Sequence, residues 1–163
     1  MPYYIIAIII VIIDQLSKLA VVNFMDNKGI NTIPLWEGVF HLTSHRNAGA
    51  AFGILQNQRW FFISVTIIVI ATVIYIIYKY EGHSDKKLML YGIALLLGGA
   101  IGNLIDRIFI GQVIDFFDFR LINFAIFNIA DSAIVIGVGL LFLDTWLTYQ
   151  EDKKKENINE SRS

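Results

Sequence analysis

Hydrophobic residues gather in four long runs separated by polar stretches, and this pattern predicts four membrane-spanning helices. Each run has about 20 residues, the length that an α-helix needs to cross a hydrocarbon core of roughly 30 Å. The predicted spans are Tyr3–Phe24, Trp60–Tyr80, Leu88–Phe109 and Ile129–Tyr149. The first and third spans contain charged residues well inside them. Because ionisable residues inside a membrane are costly, they mark the places where function is expected.

The longest connection, residues 25–59, is predicted to be partly folded. Its segment TIPLWEGVFHLTSHRN has a turn signal at Glu37 and Gly38, flanked by β-branched and aromatic residues. This arrangement is typical of a short β-hairpin. The segment AGAAFG, residues 48–53, is rich in small residues, which permit a backbone or a ligand to approach closely.

The composition agrees with an integral membrane protein and excludes several classes of function. The chain has 163 residues, of which 56% are hydrophobic and 17% charged. The net charge of −1 gives no electrostatic basis for binding nucleic acid, and the absence of cysteine excludes disulfides, thiol catalysis and cysteine-ligated metals. We expect one all-α membrane domain, residues 1–149, followed by a polar, disordered tail, residues 150–163.

Basic residues are distributed unequally between the two ends of the predicted spans, which predicts the orientation in the membrane. Seven lie on the side of the chain termini: Lys79, Lys86, Lys87, Lys153, Lys154, Lys155 and Arg162. Five lie on the other side: Lys28, Arg46, Arg59, Arg107 and Arg120. Both termini and the loop 81–87 are therefore predicted to be cytoplasmic, whereas the connections 25–59 and 110–128 face outward.

Asp14 and Lys18 form a polar pair inside the first predicted span. At about 1.5 Å of rise per residue, Asp14 lies about 16 Å above Tyr3, in the outer half of the hydrocarbon core. Lys18 lies one helical turn further out, and an acid four residues before a lysine is the favourable order for an ion pair. We interpret the two as structural residues that lower the cost of inserting the helix; a direct chemical role is the alternative.

The third predicted span combines small residues with a polar pair near its outer end. Gly98 and Gly102 have the spacing that permits close helix packing. Asn103 and Arg107 lie roughly 22 and 28 Å from the inner end of the helix, on one face. Arg107 is either an arginine that reaches the membrane surface or a group that contacts a ligand. Asp106 is adjacent to Arg107 and points elsewhere, so we expect it to be structural.

Two acidic motifs flank the start of the fourth span. VIDFFDF contains Asp115 and Asp118 and is interpreted as an amphipathic segment at the interface, and FNIADS contains Asn128 and Asp131. Either residue of the second motif can cap the helix. Two carboxyls in a partly dry site have separated pKa values, so that one is protonated and the other ionised near neutral pH. Such a pair can activate water and polarise a scissile carbonyl, as in an aspartic protease.

Other chemistries have weaker support in the sequence. His41 and His45 are spaced as HxxxH, but their segment is predicted to be a strand and lacks the partner acid, so neither a metal site nor a cofactor is expected. A small transporter is a second hypothesis, because acids inside membranes also line ion pathways. Transporters place such groups near the bilayer midplane between repeats, whereas here they collect at one end and no repeat is visible. A purely structural subunit leaves the polar cluster unexplained.

Taken in order, five motifs resemble the sequence blocks of the lipoprotein signal peptidases, the type II signal peptidases of bacteria. These motifs are DQLSK, NAGAAFG, GGAIGNLIDR, VIDFFDF and FNIADS. The resemblance extends from Asp14 to the fourth span and leaves the tail uncovered. The succession of GNLIDR, VIDF and FNIAD is its most specific part.

The resemblance implies a four-helix membrane aspartic endopeptidase with a small extracytoplasmic β-rich cradle. Its substrates would be diacylglyceryl-modified prolipoproteins, cut just before the lipidated cysteine at the outer leaflet of the bacterial cytoplasmic membrane. Membrane lipids and globomycin-type cyclic peptides would be further partners. Carried over by motif, the catalytic pair is Asp115 and Asp131, with Asp118 as the residue most easily mistaken for one of them. The residues that match the substrate site are Asn47, Asn103, Arg107 and Asn128.

Overall fold

Four long helices and three short strands make up the structure, a computed structural model that describes residues 1–49 and 54–160. In chain order these are α1 (Pro2–Phe24), β1 (Thr32–Trp36), β2 (Phe40–Asn47), α2 (Arg59–Tyr80), α3 (Lys87–Phe109), β3 (Val113–Phe119) and α4 (Ile129–Glu160). Short 3₁₀ helices lie at Asp26–Lys28, Ser84–Lys86 and Arg120–Ile122. Of the small-residue segment 48–53, the last four residues lie outside the described part of the chain.

The four helices confirm the predicted spans and the fold class. Within the described residues, four helices are long and apolar enough to cross a membrane. Their outward faces expose large apolar side chains, including Ile8 on α1, Ile68 on α2 and Phe142 on α4. In a membrane those side chains contact lipid tails, and the helical backbone satisfies its own hydrogen bonds.

Helix α3 is the central helix of the bundle. More than half of its apolar segment is buried (56%), compared with 17–22% for the other three helices. Glycines allow this close packing: a Cβ at Gly98 would lie 2.8 Å from the carbonyl oxygen of Ala7 on α1, and one at Gly99 would collide with the carbonyl oxygen of Ala130 on α4. A Cβ at Gly102 would lie 2.6 Å from the Asp14 carboxylate. The predicted close packing through small residues is therefore confirmed.

The three strands form one antiparallel sheet in the order β1-β2-β3. The predicted hairpin is confirmed, because β1 and β2 pair on either side of the turn at Glu37 and Gly38. The segment VIDFFDF, which we interpreted as an amphipathic segment at the interface, is strand β3 and pairs with β2. Its β-branched and aromatic residues suit a strand, and β2 offers an unpaired edge of backbone donors and acceptors.

One face of strand β3 packs against the helix bundle. Ile114 and Phe116 join Val21 and Met25 in a buried cluster at the end of α1. Successive side chains of a strand point to opposite faces, so Asp115 is directed away from this cluster. The sheet therefore holds Asp115 against the C-terminal end of α3 and the N-terminal end of α4.

Helix α4 extends further than the sequence analysis expected. We predicted disorder from Gln150 onward, but the helix continues to Glu160. Glu, Lys and Gln are good helix formers, and Lys155 lies 3.7 Å from Asp152 at i,i+3 spacing. A helix that is already nucleated in the membrane can be extended by such residues at low cost.

Candidate active site

A cavity of about 630 Å³ opens where β3, the end of α3 and the start of α4 meet. Its polar lining residues include five of the six that the sequence analysis proposed for catalysis and binding: Asn47, Asn103, Arg107, Asp115 and Asp131. The sixth, Asn128, is fully buried directly behind this wall. The remaining wall is largely apolar, with Phe124, Ile126, Phe127, Ile134, Val135 and Ile136.

Asp115 is held at the cavity wall by two amide donors. The Asn128 side chain donates to Asp115 Oδ1 at 2.7 Å, and the Asn47 side chain donates to Asp115 Oδ2 at 3.0 Å. The residue is only 1% exposed. Burial, together with the nearby charge of Asp131, raises the pKa of Asp115 to about 7. Its carboxyl can therefore hold or release a proton near neutral pH.

Asp131 combines a helix cap with a place in the cavity wall. Its backbone N–H donates to Asn128 Oδ1 at 2.9 Å, and the Asn128 backbone N–H donates to Asp131 Oδ2 at 3.2 Å. This reciprocal pair is a capping box, with Asn128 as the N-cap of α4. The other oxygen, Asp131 Oδ1, accepts a bond of 2.7 Å from Asn103. A carboxylate can accept about four hydrogen bonds, so capping leaves it capacity toward the cavity.

The side-chain amide of Asn128 connects the two acids. Besides its bond to Asp115, its Nδ2 donates to Asn103 Oδ1 at 3.1 Å, and Asn103 in turn donates to Asp131. The two carboxyls come from different elements, β3 and α4, and share one chain of buried amides. Two carboxyls held this way on one wall can share a proton and act on a water molecule.

Asp118 has a different environment, although it is three residues from Asp115. It accepts hydrogen bonds from Thr43 at 2.7 Å and from Arg120 at 2.9 Å. Burial tends to raise the pKa of Asp118, but these two bonds outweigh it and hold the pKa below its usual value. Asp118 is an ionised residue that connects β3 to Thr43 of β2 and to Arg120.

Arg107 lies between Gly49 and α2. Its guanidinium donates to the Gly49 carbonyl at 3.2 Å and lies 4.8 Å from the centre of the Phe62 ring. Arg59 was missed by the sequence analysis: it donates to the carbonyls of Arg107 and Ile108, both at 2.7 Å, and so caps the end of α3. An arginine at the start of a span is usually an interface anchor, and the sequence gives no sign of its pairing with α3.

The Asp14–Lys18 ion pair is present, and it has a third member. Lys18 Nζ lies 2.8 Å from a carboxylate oxygen of Asp14 and 2.8 Å from one of Asp106. We call these three residues the ion triad. Asp106 was expected to be structural because, within α3 alone, it points away from Asn103 and Arg107. In the folded bundle that face of α3 packs against α1.

Comparisons with known proteins agree with this architecture. The family described as "Signal peptidase (SPase) II" matches residues 6–147. A "Lipoprotein signal peptidase" of Brevibacillus brevis is 49% identical over 153 residues, which cover 94% of this chain and 100% of that protein. A protein of the same name from Bacillus pumilus is 48% identical, covering 94% of this chain and 98% of its own length.

Two solved structures, both titled as bacterial membrane enzymes obtained by the in meso method, share the fold. The one at 2.3 Å resolution superposes with a TM-score of 0.80 and 36% identity, covering 93% of this chain and 91% of that chain. The one at 1.9 Å has a TM-score of 0.73 and 37% identity, covering 87% and 90%.

Proposed function

The chain belongs to the signal peptidase II family, and we propose that it cuts diacylglyceryl-modified prolipoproteins just before the lipidated cysteine, with Asp115 and Asp131 as its catalytic pair. Family membership confirms the resemblance of the motifs and makes prolipoproteins the substrate class. The observation that carries the catalytic proposal is the convergence of the two carboxyls, from β3 and α4, on one cavity wall.

The proposed reaction is attack by water without a covalent enzyme intermediate. Near neutral pH the two carboxyls hold one proton between them. The ionised carboxylate takes a proton from a water molecule, whose oxygen attacks the scissile carbonyl carbon, while the protonated carboxyl donates a hydrogen bond to the carbonyl oxygen. The tetrahedral intermediate then collapses, the C–N bond breaks, and a proton passes to the departing amine.

The shape of the cavity supports a lipidated, largely apolar substrate. Its polar groups are concentrated at the two acids, and its apolar side chains from the 124–136 region can contact a signal peptide and acyl chains. Arg107 can bind a substrate carbonyl or a lipid headgroup through charge-assisted hydrogen bonds. Asn47 and the buried amides can hold the extended peptide backbone. Globomycin-type cyclic peptides are proposed to bind in the same cavity.

We further propose that the active site faces the outer leaflet of the bacterial cytoplasmic membrane. A bond next to a lipidated cysteine lies at the membrane surface, because the acyl chains stay in the leaflet. The bias of basic residues supports a cytoplasmic position for both termini and the tail. The hairpin of β1 and β2 together with β3 then forms the extracytoplasmic cradle of a single membrane domain.

The test is cleavage of one purified prolipoprotein in two forms, with and without the diacylglyceryl group. We expect the modified form alone to be cut, and mass spectrometry of the product should show an N-terminal lipidated cysteine. Equal cleavage of both forms would show that the lipid is not recognised. If folded protein cut neither form, the assigned substrate would be wrong.

A further inference from the structure

We propose that the ion triad of Asp14, Lys18 and Asp106 is a positioning device that fixes the separation of Asp115 and Asp131. The inference rests on the proposed function, since it assigns to the triad a role in the same reaction. Asp14 and Lys18 belong to α1 and Asp106 to α3, whereas the two acids that they position belong to β3 and α4.

Each acid of the triad holds the backbone immediately before one of the catalytic acids. Asp14 Oδ1 accepts the backbone N–H of Ala130 at 3.0 Å, and the next residue is Asp131. Asp106 Oδ2 accepts the backbone N–H of Ile114 at 3.1 Å, and the next residue is Asp115. A displacement of either triad carboxylate therefore moves the peptide unit that carries one member of the catalytic pair.

Lys18 connects the two carboxylates and also orients an amide of the site. Its ammonium donates to Asn103 Oδ1 at 3.2 Å in addition to contacting both acids. With Oδ1 engaged in this way, the Nδ2 of Asn103 is the group that faces Asp131. The opposite orientation of the amide would place an oxygen against the Asp131 carboxylate.

The charges of the triad argue against a role limited to neutralising a buried group. Lys18 is 2% exposed and Asp14 0%, and this pair alone is neutral. The addition of Asp106 gives the group two carboxylates for one ammonium. Burying a second acid costs desolvation free energy, and Lys18 does not require it for neutralisation. The presence of Asp106 therefore needs another reason, and its bond to the Ile114 amide supplies one. Gln15 donates a further hydrogen bond to each of the two acids, at 3.1 and 3.0 Å.

The triad acts from behind the cavity wall. Among the described residues that line the cavity there is no member of the triad, whereas Asn103, Asp115 and Asp131 all belong to the lining. Changes in the triad should therefore alter the rate of the chemical step and leave substrate binding almost unchanged. A displacement of a reacting group by about 1 Å can cost on the order of 100-fold in rate.

The experiment measures kcat, KM and the pH–rate profile of purified full-length Asp14→Asn, Asp106→Asn and Lys18→Met. Asparagine keeps the size of the acid and one acceptor for the backbone amide, so Asp14→Asn and Asp106→Asn should fold. We expect kcat to fall about tenfold or more in each, with KM within about threefold of wild type. The matched control is Asp118→Asn, a carboxylate of the same strand as Asp115 that is bonded to Thr43 and Arg120. Its kcat should stay within about twofold.

The pH profile separates positioning from general stability. Asp115 faces the charges of Asp131 on α4, Arg107 on α3 and Lys18 on α1, and its register partner on β2 is His45. The Lys18 charge lowers the pKa of Asp115. Loss of the Lys18 charge should therefore move the alkaline limb of the profile to higher pH in Lys18→Met. Loss of the Asp106 charge leaves the Lys18 charge less neutralised, so the limb should move to lower pH in Asp106→Asn. A variant that merely contained less folded enzyme would keep the wild-type profile.

Two results would overturn the inference. One is a folded Asp106→Asn or Lys18→Met enzyme with wild-type kcat. The other is a loss of kcat that parallels the loss of thermal stability while the pH profile stays unchanged. An active Asp115→Asn enzyme in the same assay would instead contradict the proposed catalytic pair, so the two failures are distinguishable.

Discussion

Asp115 and Asp118 are chemically identical residues on one strand, and their surroundings give them different properties. Asp115 is buried beside another acid and accepts bonds from neutral amides, so its pKa rises to about 7. Asp118 accepts a bond from the arginine Arg120, and its pKa falls. The strand alternation puts them on opposite faces, and this difference in placement assigns the proton-transfer chemistry to one of them.

At the residue scale, the pKa of Asp115 predicts the alkaline limit of activity. One proton shared by the two acids is required, and it is lost from Asp115 as the pH rises above about 7. We expect kcat/KM to fall about tenfold per pH unit on that side. The hydrogen bond from Asn47 lowers the pKa of Asp115, so Asn47→Leu should move the limb to higher pH. Activity that stayed constant up to pH 9 would contradict this assignment.

The same carboxyl makes the fold less stable as the pH rises. The pKa of Asp115 is about 7 in the folded protein and 3.8 as an ordinary value, so the folded state binds more protons between these limits. Wild-type stability should therefore decline from about pH 4 to pH 7 and change no further through this group above pH 7. Asp115→Asn lacks this effect. The melting temperature of Asp115→Asn relative to wild type should therefore rise from about pH 4 to pH 7. Thermal unfolding in detergent measures this difference. A difference that stayed constant with pH would refute the raised pKa of Asp115.

At the scale of elements, the close contact of α3 with α4 determines where Asp131 lies. Gly99 of α3 packs against the carbonyl of Ala130, the residue before Asp131. A Cβ at position 99 would collide with this carbonyl. The carbonyl is backbone in the first turn of α4, so it cannot move away without moving that turn. The packing of the two helices thus constrains the position of Asp131, a proposed catalytic residue.

Replacement of Gly99 by alanine should therefore damage both stability and catalysis. We expect a lower melting temperature and a loss of cleavage of about tenfold or more, because the start of α4 must shift away from α3. Gly139→Ala is the matched control: it lies in α4, and a Cβ there would have no neighbour within 4 Å among the described residues. The control should be neutral or slightly more stable, since alanine favours a helix over glycine by about 1 kcal/mol. Equal behaviour of the two variants would show that the contact does not constrain the site.

At the scale of the whole molecule, the sequence predicted the features that depend on local pattern. The four spans follow from the length of the apolar runs, and the hairpin from its turn at Glu37 and Gly38. The candidate catalytic and binding residues followed from the order of the motifs. Their convergence on one cavity agrees with that prediction, whereas their individual roles stay proposals.

The features that the sequence did not predict depend on partners distant in the chain. The segment 113–119 becomes a strand because β2 lies beside it. Asp106 joins the polar network because α1 supplies Lys18, and Arg59 caps α3 across an interhelical contact. The chain from Gln150 to Glu160 is helical because it continues a helix that is already formed. Each of these requires tertiary structure that local patterns do not encode.

The central claim is that Asp115 and Asp131 form the catalytic pair, and the most direct measurement is cleavage of a diacylglyceryl-modified prolipoprotein by Asp115→Asn, Asp131→Asn and Asp118→Asn beside wild type. Asparagine keeps the shape and some hydrogen bonds but cannot exchange the proton. We predict that the first two variants fold and lose roughly 100- to 10,000-fold in rate, which is the contribution of a general acid–base group, while Asp118→Asn stays active. Normal cleavage by a folded Asp115→Asn or Asp131→Asn enzyme would contradict the account, and Asp131 would then be a helix cap alone.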